Sequence, residues 1–176
     1  QTNVDYLYAR PILVKHFKSV FKSAIAKDTF VVVSPDAGGV VRAQSFARRI
    51  MENAELAIIH KEREEPNKIA NMKLVGDVAG KTALIVDDMA DTCGTLARAA
   101  DILIKNGAKE VYAAATHGVL SGDAMKNLDE SPIQKLFITD TIEQNRPLSK
   151  KIEVVSVAEL FANAIRRMEN GESLSA

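Results

Sequence analysis

Cysteine is nearly missing from this chain of 176 residues, which carries a single thiol, Cys93. No disulfide can form within the chain, so an oxidised, loop-rich scaffold is excluded and a reducing, cytoplasmic compartment is expected. Excess charge of either sign is missing too. Lysine plus arginine and aspartate plus glutamate number 23 each, so nothing global argues for nucleic acid, and there is no acidic tail. No stretch approaches the roughly 18 consecutive apolar residues of a membrane span. The start, Gln1-Thr2-Asn3-Val4-Asp5, has no charged-then-apolar targeting pattern. Neither nucleic acid nor a membrane is therefore expected as a partner. Internal repeats, low-complexity linkers and His/Cys clusters at metal-ligand spacing are absent as well. A hydrophobic content of 47% is ample to fill the core of one domain over residues 1–176.

What is present alternates between strand and helix. Residues 11–26 carry apolar positions at helical spacing (Ile12, Leu13, Phe17, Val20, Phe21, Ile25), with Pro11 suited to a first turn. Residues 30–33 read as a buried strand and 41–51 as a helix. A strand over 57–60 follows, then the most charged stretch of the chain, 61–71, as a loop or ribbon. The apolar run 83–86 is the next strand. The pattern Leu96, Ala99, Ala100, Leu103, Ile104 predicts its helix. Strands over 110–116, 136–139 and 153–155 and helices over 123–128 and 157–168 complete the series, with Gly171 as a stop. This succession predicts an α/β fold with a parallel sheet between helices. Such sheets bind ligands at the carboxyl ends of their strands.

Polar and glycine-rich sequence gathers at four strand ends. The most informative is Val86-Asp87-Asp88-Met89-Ala90-Asp91-Thr92-Cys93-Gly94-Thr95, which feeds a helix N-terminus. Unpaired N–H groups, the positive end of the helix dipole and the hydroxyls of Thr92 and Thr95 suit a phosphate, and Gly94 allows close approach. Asp87 and Asp88 would repel that phosphate directly, so their partners are ribose hydroxyls or a divalent cation one sugar-length away. The turn taken alone is equally an N-cap and tight turn. A structural cap, however, needs one carboxylate and gains nothing from a like-charged neighbour. The other three ends are Ser34-Pro35-Asp36-Ala37-Gly38-Gly39, His60-Lys61-Glu62-Arg63 and Thr116-His117-Gly118. Asp36 is otherwise a turn residue after Pro35, and 61–65 otherwise a solvated charge run.

Together SPDAGG, HKER, VDDMADTCGT, THG and AIRRMENGES closely resemble the carboxyl-terminal half of the ribose-phosphate pyrophosphokinase (phosphoribosyl pyrophosphate synthetase) family, from about Tyr8 to Ser175. The acidic-pair turn alone points only to the broader type I phosphoribosyltransferase group. The resemblance implies a Rossmann-like parallel sheet flanked by helices, of the type I phosphoribosyltransferase kind, with a small β-ribbon, or flag, around residues 61–78. It implies transfer of the diphosphoryl group of ATP to ribose 5-phosphate, giving AMP and phosphoribosyl pyrophosphate for nucleotide biosynthesis, with Mg²⁺ as cofactor. By matching motif, Asp87 and Asp88 would hold the ribose hydroxyls, and Asp91, Thr92, Cys93, Gly94 and Thr95 the 5-phosphate. Asp36 would be the Mg²⁺-associated aspartate, and Lys61 and Arg63 the catalytic cations. Strand alternation would place those two cations on one face and Glu62 on the other. Ser173 and Ser175 match the border of a regulatory anion site between subunits, alternatively a frayed tail.

The family's amino-terminal half, with its histidine-containing metal site and its loop over ATP, has no counterpart in this sequence. The chain is thus expected to be a fragment that binds ribose 5-phosphate or phosphate and is weakly active or inactive alone. The resemblance also implies self-association, dimer to hexamer. Two rival functions are a phosphoribosyltransferase, which would need a nucleobase-reading hood, and a non-catalytic synthetase-associated regulatory subunit, in which the HKER and acidic-pair segments would be disrupted. His60 and His117 read as hydrogen-bonded framework residues, and Met51, Met72 and Met168 as packing residues. Cys93 reads as a small turn residue whose pKa the helix N-terminus would lower.

Overall fold

In a computed structural model of the chain, the residues described are 4–52, 54–62 and 71–174. They build a seven-stranded sheet of order β3-β2-β1-β4-β5-β6-β7. The strands are β1 (Phe30–Ser34), β2 (Glu55–Glu62), β3 (Asn71–Val75), β4 (Thr82–Ala90), β5 (Glu110–Gly118), β6 (Ile133–Thr139) and β7 (Ile152–Val155). All pair in parallel except β3, which runs antiparallel to β2 at the edge. The expected flag is this β2–β3 pair, in register from Ile58 opposite Val75 to Glu62 opposite Asn71. Residues 63–70, between these two strands in the chain, lie outside the described residues.

Side chains alternate across each strand and so feed two cores. Val31, Val33, Ala83, Ile85, Ala113, Ala115 and Ile138 meet α4 (Gly94–Lys105) and α5 (Ala124–Glu130) on one face. Phe30, Val32, Leu84, Val86, Ala114 and Phe137 meet α1 (Arg10–Val20) and α3 (Val40–Ile50) on the other. The second face holds the buried phenylalanines: the Phe17 and Phe137 rings meet edge-on at 5.4 Å. The helix expected over 11–26 is split at Phe21, where the backbone leaves helical angles before α2 (Lys22–Ala26). There the Phe21 ring seats against Phe30 at 5.1 Å and Tyr112 at 4.9 Å. The last helix, α6 (Ala158–Glu169), ends before Gly171 at φ +66°, as expected. Met168 projects into solvent, against its reading as a packing residue, because α6 buries only Ala164 fully. None of the helices among the described residues is long and apolar enough to cross a membrane.

After β1 the chain winds outward to β2, then returns to lay β4 on the other side of β1. α3 and α4 therefore cover opposite faces, and a crevice opens at the carboxyl ends of β1 and β4, where doubly wound sheets place their ligands.

Candidate functional site

The crevice is a cleft of about 260 Å³ lined by Asp36 from the β1–α3 turn, Asp87 from β4, and Asp91, Thr92, Cys93 and Thr95 from the turn into α4. A volume below the roughly 300 Å³ at which drug-sized pockets begin suits one small polar molecule. α4 has no side-chain cap, so the amides of its first turn are free to face a ligand. A Cβ at Gly94 would meet Thr92 Oγ1 at 3.7 Å, an ordinary van der Waals contact, so the protein's own packing does not demand glycine here. Gly39 is the opposite case. A Cβ there would come within 2.8 Å of Ser34 Oγ, which itself donates to the Asp36 carbonyl at 2.7 Å. The close turn thus needs glycine at 39 and sets Asp36 in place.

Asp36 acts in that turn as well. Its Oδ1 accepts the Gly39 N–H at 2.9 Å, the turn role that its position after Pro35 allowed. Among the described residues, no group of three or more His, Cys, Asp or Glu is arranged to hold a metal ion. Magnesium asks for less, since it keeps several waters and takes most other oxygens from phosphates. Asp36 lines the cleft, and one carboxylate there fits such an ion.

The acidic pair does not end its strand. β4 continues through both aspartates to Ala90, with Asp87 opposite Ala115 and Met89 opposite His117 in the ladder with β5. Strand alternation turns the two neighbouring carboxylates toward different openings. Asp87, with its side chain 19% exposed, lines the cleft, whereas Asp88, at 61%, lines a neighbouring hollow with Thr116 and His117. Arg42 of α3 bridges them, with Nη1 3.0 Å from Asp87 Oδ1 and Nη2 2.7 Å from Asp88 Oδ2. The Asp88 N–H also donates to Asp87 Oδ1 at 2.9 Å. Burial, with the Asp88 carboxylate adding to it, pushes the Asp87 carboxyl up to about 6 even though the Asp88 N–H and Arg42 pull the other way. Sequence reasoning missed Arg42. Its signal was an arginine in the first turn of the helix after SPDAGG.

Cys93 is a turn residue, buried and at φ +59°. The expected lowering of its pKa is overturned: burial pushes the thiol up to about 11, Asp91 adds to this, and Arg146 opposes it. Desolvation of a thiolate outweighs the helix dipole here. His117 accepts a framework role, its Nδ1 2.8 Å from Thr141 Oγ1, whereas His60 is exposed on β2. Lys61 lies in β2 opposite Met72; its side chain, all of Arg63 and Ser175 lie outside what is described. Ser173 stands apart from the cleft, beyond α6, where its carbonyl accepts Arg167 Nη1 at 2.6 Å.

Comparison with known proteins bears on the family and the fold. Residues 64–176 match the family model described as phosphoribosyl synthetase-associated domain. Ribose-phosphate pyrophosphokinase A of Dictyostelium discoideum is 50% identical over 174 residues, covering 98% of this chain and 53% of that protein. The ribose-phosphate pyrophosphokinase of Caldanaerobacter subterraneus is 50% identical over 175 residues, with the same coverage of each. The chain spans about half the length of these curated relatives. Phosphoribosylpyrophosphate synthetase from Mycobacterium smegmatis superposes with a TM-score of 0.79 at 37% identity, over 93% of this chain and 51% of that one. Orotate phosphoribosyltransferase from Aeropyrum pernix shares the fold at 18% identity and a TM-score of 0.53, over 89% of this chain and 76% of that one. The chain belongs to the phosphoribosyl synthetase-associated domain family and is a homologue of the ribose-phosphate pyrophosphokinases.

Proposed function

We propose that the chain forms the ribose-5-phosphate-binding half of a ribose-phosphate diphosphokinase, which passes the diphosphoryl group of ATP to ribose 5-phosphate and releases AMP. The observation that carries this reading is the convergence of a half-buried aspartate, Asp87, with the uncapped α4 turn in one small cleft. The sugar's ring hydroxyls donate to Asp87, with Asp88 steadying the pair. Its phosphate lies against the amides and hydroxyls of Thr92, Gly94 and Thr95, with Asp91 and Cys93 completing the turn. The whole chain is one phosphoribosyltransferase-like domain in this reading.

Transfer of a diphosphoryl group spreads charge over non-bridging oxygens, so positioning and cations do most of the work. Lys61 supplies a point charge and Arg63 a planar fork for those oxygens. Mg²⁺ held by Asp36 together with water and phosphate oxygens would neutralise charge on the diphosphoryl group. Ser173 and Ser175 border a regulatory anion site, and the protein self-associates in the cytoplasm. Calorimetric titration with ribose 5-phosphate, with and without Mg²⁺, tests the reading: saturable uptake of one sugar phosphate is expected. No heat of binding at millimolar sugar in either condition would sink it.

A further inference from the structure

The segment after β5 reaches across to the turn that opens α4. Asn127 Nδ2 donates to the Thr92 carbonyl at 2.8 Å, and Ser121 Oγ donates to Asp91 Oδ1. A loop that receives an anion must dispose of its own oxygens, because a carbonyl or carboxylate left facing the ligand would repel it. Here both oxygens have a donor from outside the loop. Directly after them, Cys93 adopts φ +59°, which a non-glycine residue holds only where its surroundings over-determine it. The same segment contributes to those surroundings: Cys93 is buried in one hydrophobic cluster that includes Leu120, Ala124 and Leu128. Asn127 Nδ2 would stand 3.9 Å from a Cβ at Gly94, beside the first residue of α4 and outside the residues that line the cleft.

We infer that Asn127, assisted by Ser121, is a positioning residue that presets the 91–95 turn for a phosphate-bearing ligand by tying off the Thr92 carbonyl and the Asp91 carboxylate. The inference rests on the sugar-phosphate reading of the cleft. Neither residue belongs to a motif that points to phosphate, since the bonds depend on how α5 packs beside α4.

The test compares Asn127→Ala, Asn127→Asp and Asn127→Gln with the parent in the intact protein. Inorganic phosphate and ribose 5-phosphate are titrated by calorimetry, and steady-state kinetics are followed where turnover is present. Asn127→Ala should weaken both ligands in parallel by about five- to tenfold, as expected for one lost positioning hydrogen bond. KM for the sugar phosphate should rise, with kcat and KM for ATP retained. Asn127→Asp should weaken binding further, because it sets a carboxylate in place of a donor, and Asn127→Gln, which keeps the amide, should recover part of the loss. An Asn127→Ala protein that binds both ligands as the parent does, while the parent titrates normally, overturns the inference and leaves the cleft reading standing. A lower thermal midpoint and kcat with unchanged KM would mark a merely structural residue and overturn it as well. A parent that takes up neither ligand removes the cleft reading and the inference together.

Discussion

One cation bridges two carboxylates at each end of β4, and the two clusters behave in opposite ways. Just before the strand, Lys81 Nζ lies 2.6 Å from Glu55 Oε2 and 3.1 Å from Asp77 Oδ2. Near its far end Arg42 spans Asp87 and Asp88 at 3.0 and 2.7 Å. Asp77 is held below the usual carboxylate range by the Ala79 N–H and by Lys81. Asp87 is raised to about 6. The difference is solvent: the Asp77 side chain is 67% exposed and that of Asp87 19%. A carboxylate in water simply gains from each added donor. A half-buried one loses hydration that a guanidinium shared with a second acid does not replace. The first cluster ties a turn to the sheet, while the second keeps a demand for donors that a polyhydroxyl ligand can meet.

Removing the charge of the second cluster should have the largest effect. Asp87→Asn with Asp88→Asn should lower ribose 5-phosphate affinity by about two orders of magnitude, given charge-assisted bonds to two hydroxyls. Asp87→Asn alone should account for most of the loss, because Asp88 is the more exposed acid. The matching pair of changes at the other end, Glu55→Gln with Asp77→Asn, should leave calorimetric affinity where it was. Equal losses from the two pairs would erase the contrast.

Acid should separate the clusters next. The folded-state pKa of Asp87 lies above its ordinary value, so its charge costs stability above pH 6, and that cost is relieved as pH falls through about 6 toward the unfolded value. Sugar affinity should move the other way, falling by up to about tenfold per pH unit below 6 as the acceptor is protonated. For Asp77 the folded pKa is depressed, so its contribution is present above the ordinary carboxylate value and lost on further acidification. Titrations of ribose 5-phosphate between pH 8 and 5 check the sign for Asp87, and denaturant melts carried on down to about pH 2.5 check it for Asp77.

Arg42→Met sharpens the comparison from within. It removes a cation that holds Asp87 down, so the carboxyl should titrate still higher. Affinity at pH 7 should then drop by a few-fold and recover toward pH 8.5. A carboxyl carbon signal of Asp87 followed by NMR in the variant and parent would show the shift directly, and an unmoved titration would refute it. The smallest effect is expected from Lys81→Met, which breaks two pairs whose acids, Glu55 and Asp77, are exposed and stay hydrated without the lysine. Thermal melts should move by at most a few °C, with ribose 5-phosphate affinity unchanged.

The strand hearts were legible because buried parallel strands read as unbroken β-branched and apolar runs, and the helices because their apolar positions recur with the helical turn. The ends of elements were less so. Two aspartates read as the stop of β4, yet the ladder with β5 carries that strand on to Ala90, since Ala115, His117 and Gly118 offer partners on the next strand. Phe21 fitted a helical pattern and still left it, because its ring had a place between Phe30 and Tyr112. At the site, Asp36, Asp87 and the 91–95 turn were identifiable from residue type and position. Arg42, Ser121 and Asn127 were not, since each acts through a partner 30 or more positions away in the chain.

Local chemistry, written in the order of residues, determined the alternating strands and helices, the polar strand ends and the turn that opens α4. Each of these depends on neighbours a few positions apart. Only tertiary packing decided that Asp87 faces the cleft while Asp88 lines the neighbouring hollow, that Arg42 spans them, and that Cys93 is a buried thiol with a raised pKa. Charge and burial depend on which distant segments come within a few ångströms, and the order of strands in the sheet sets that distance.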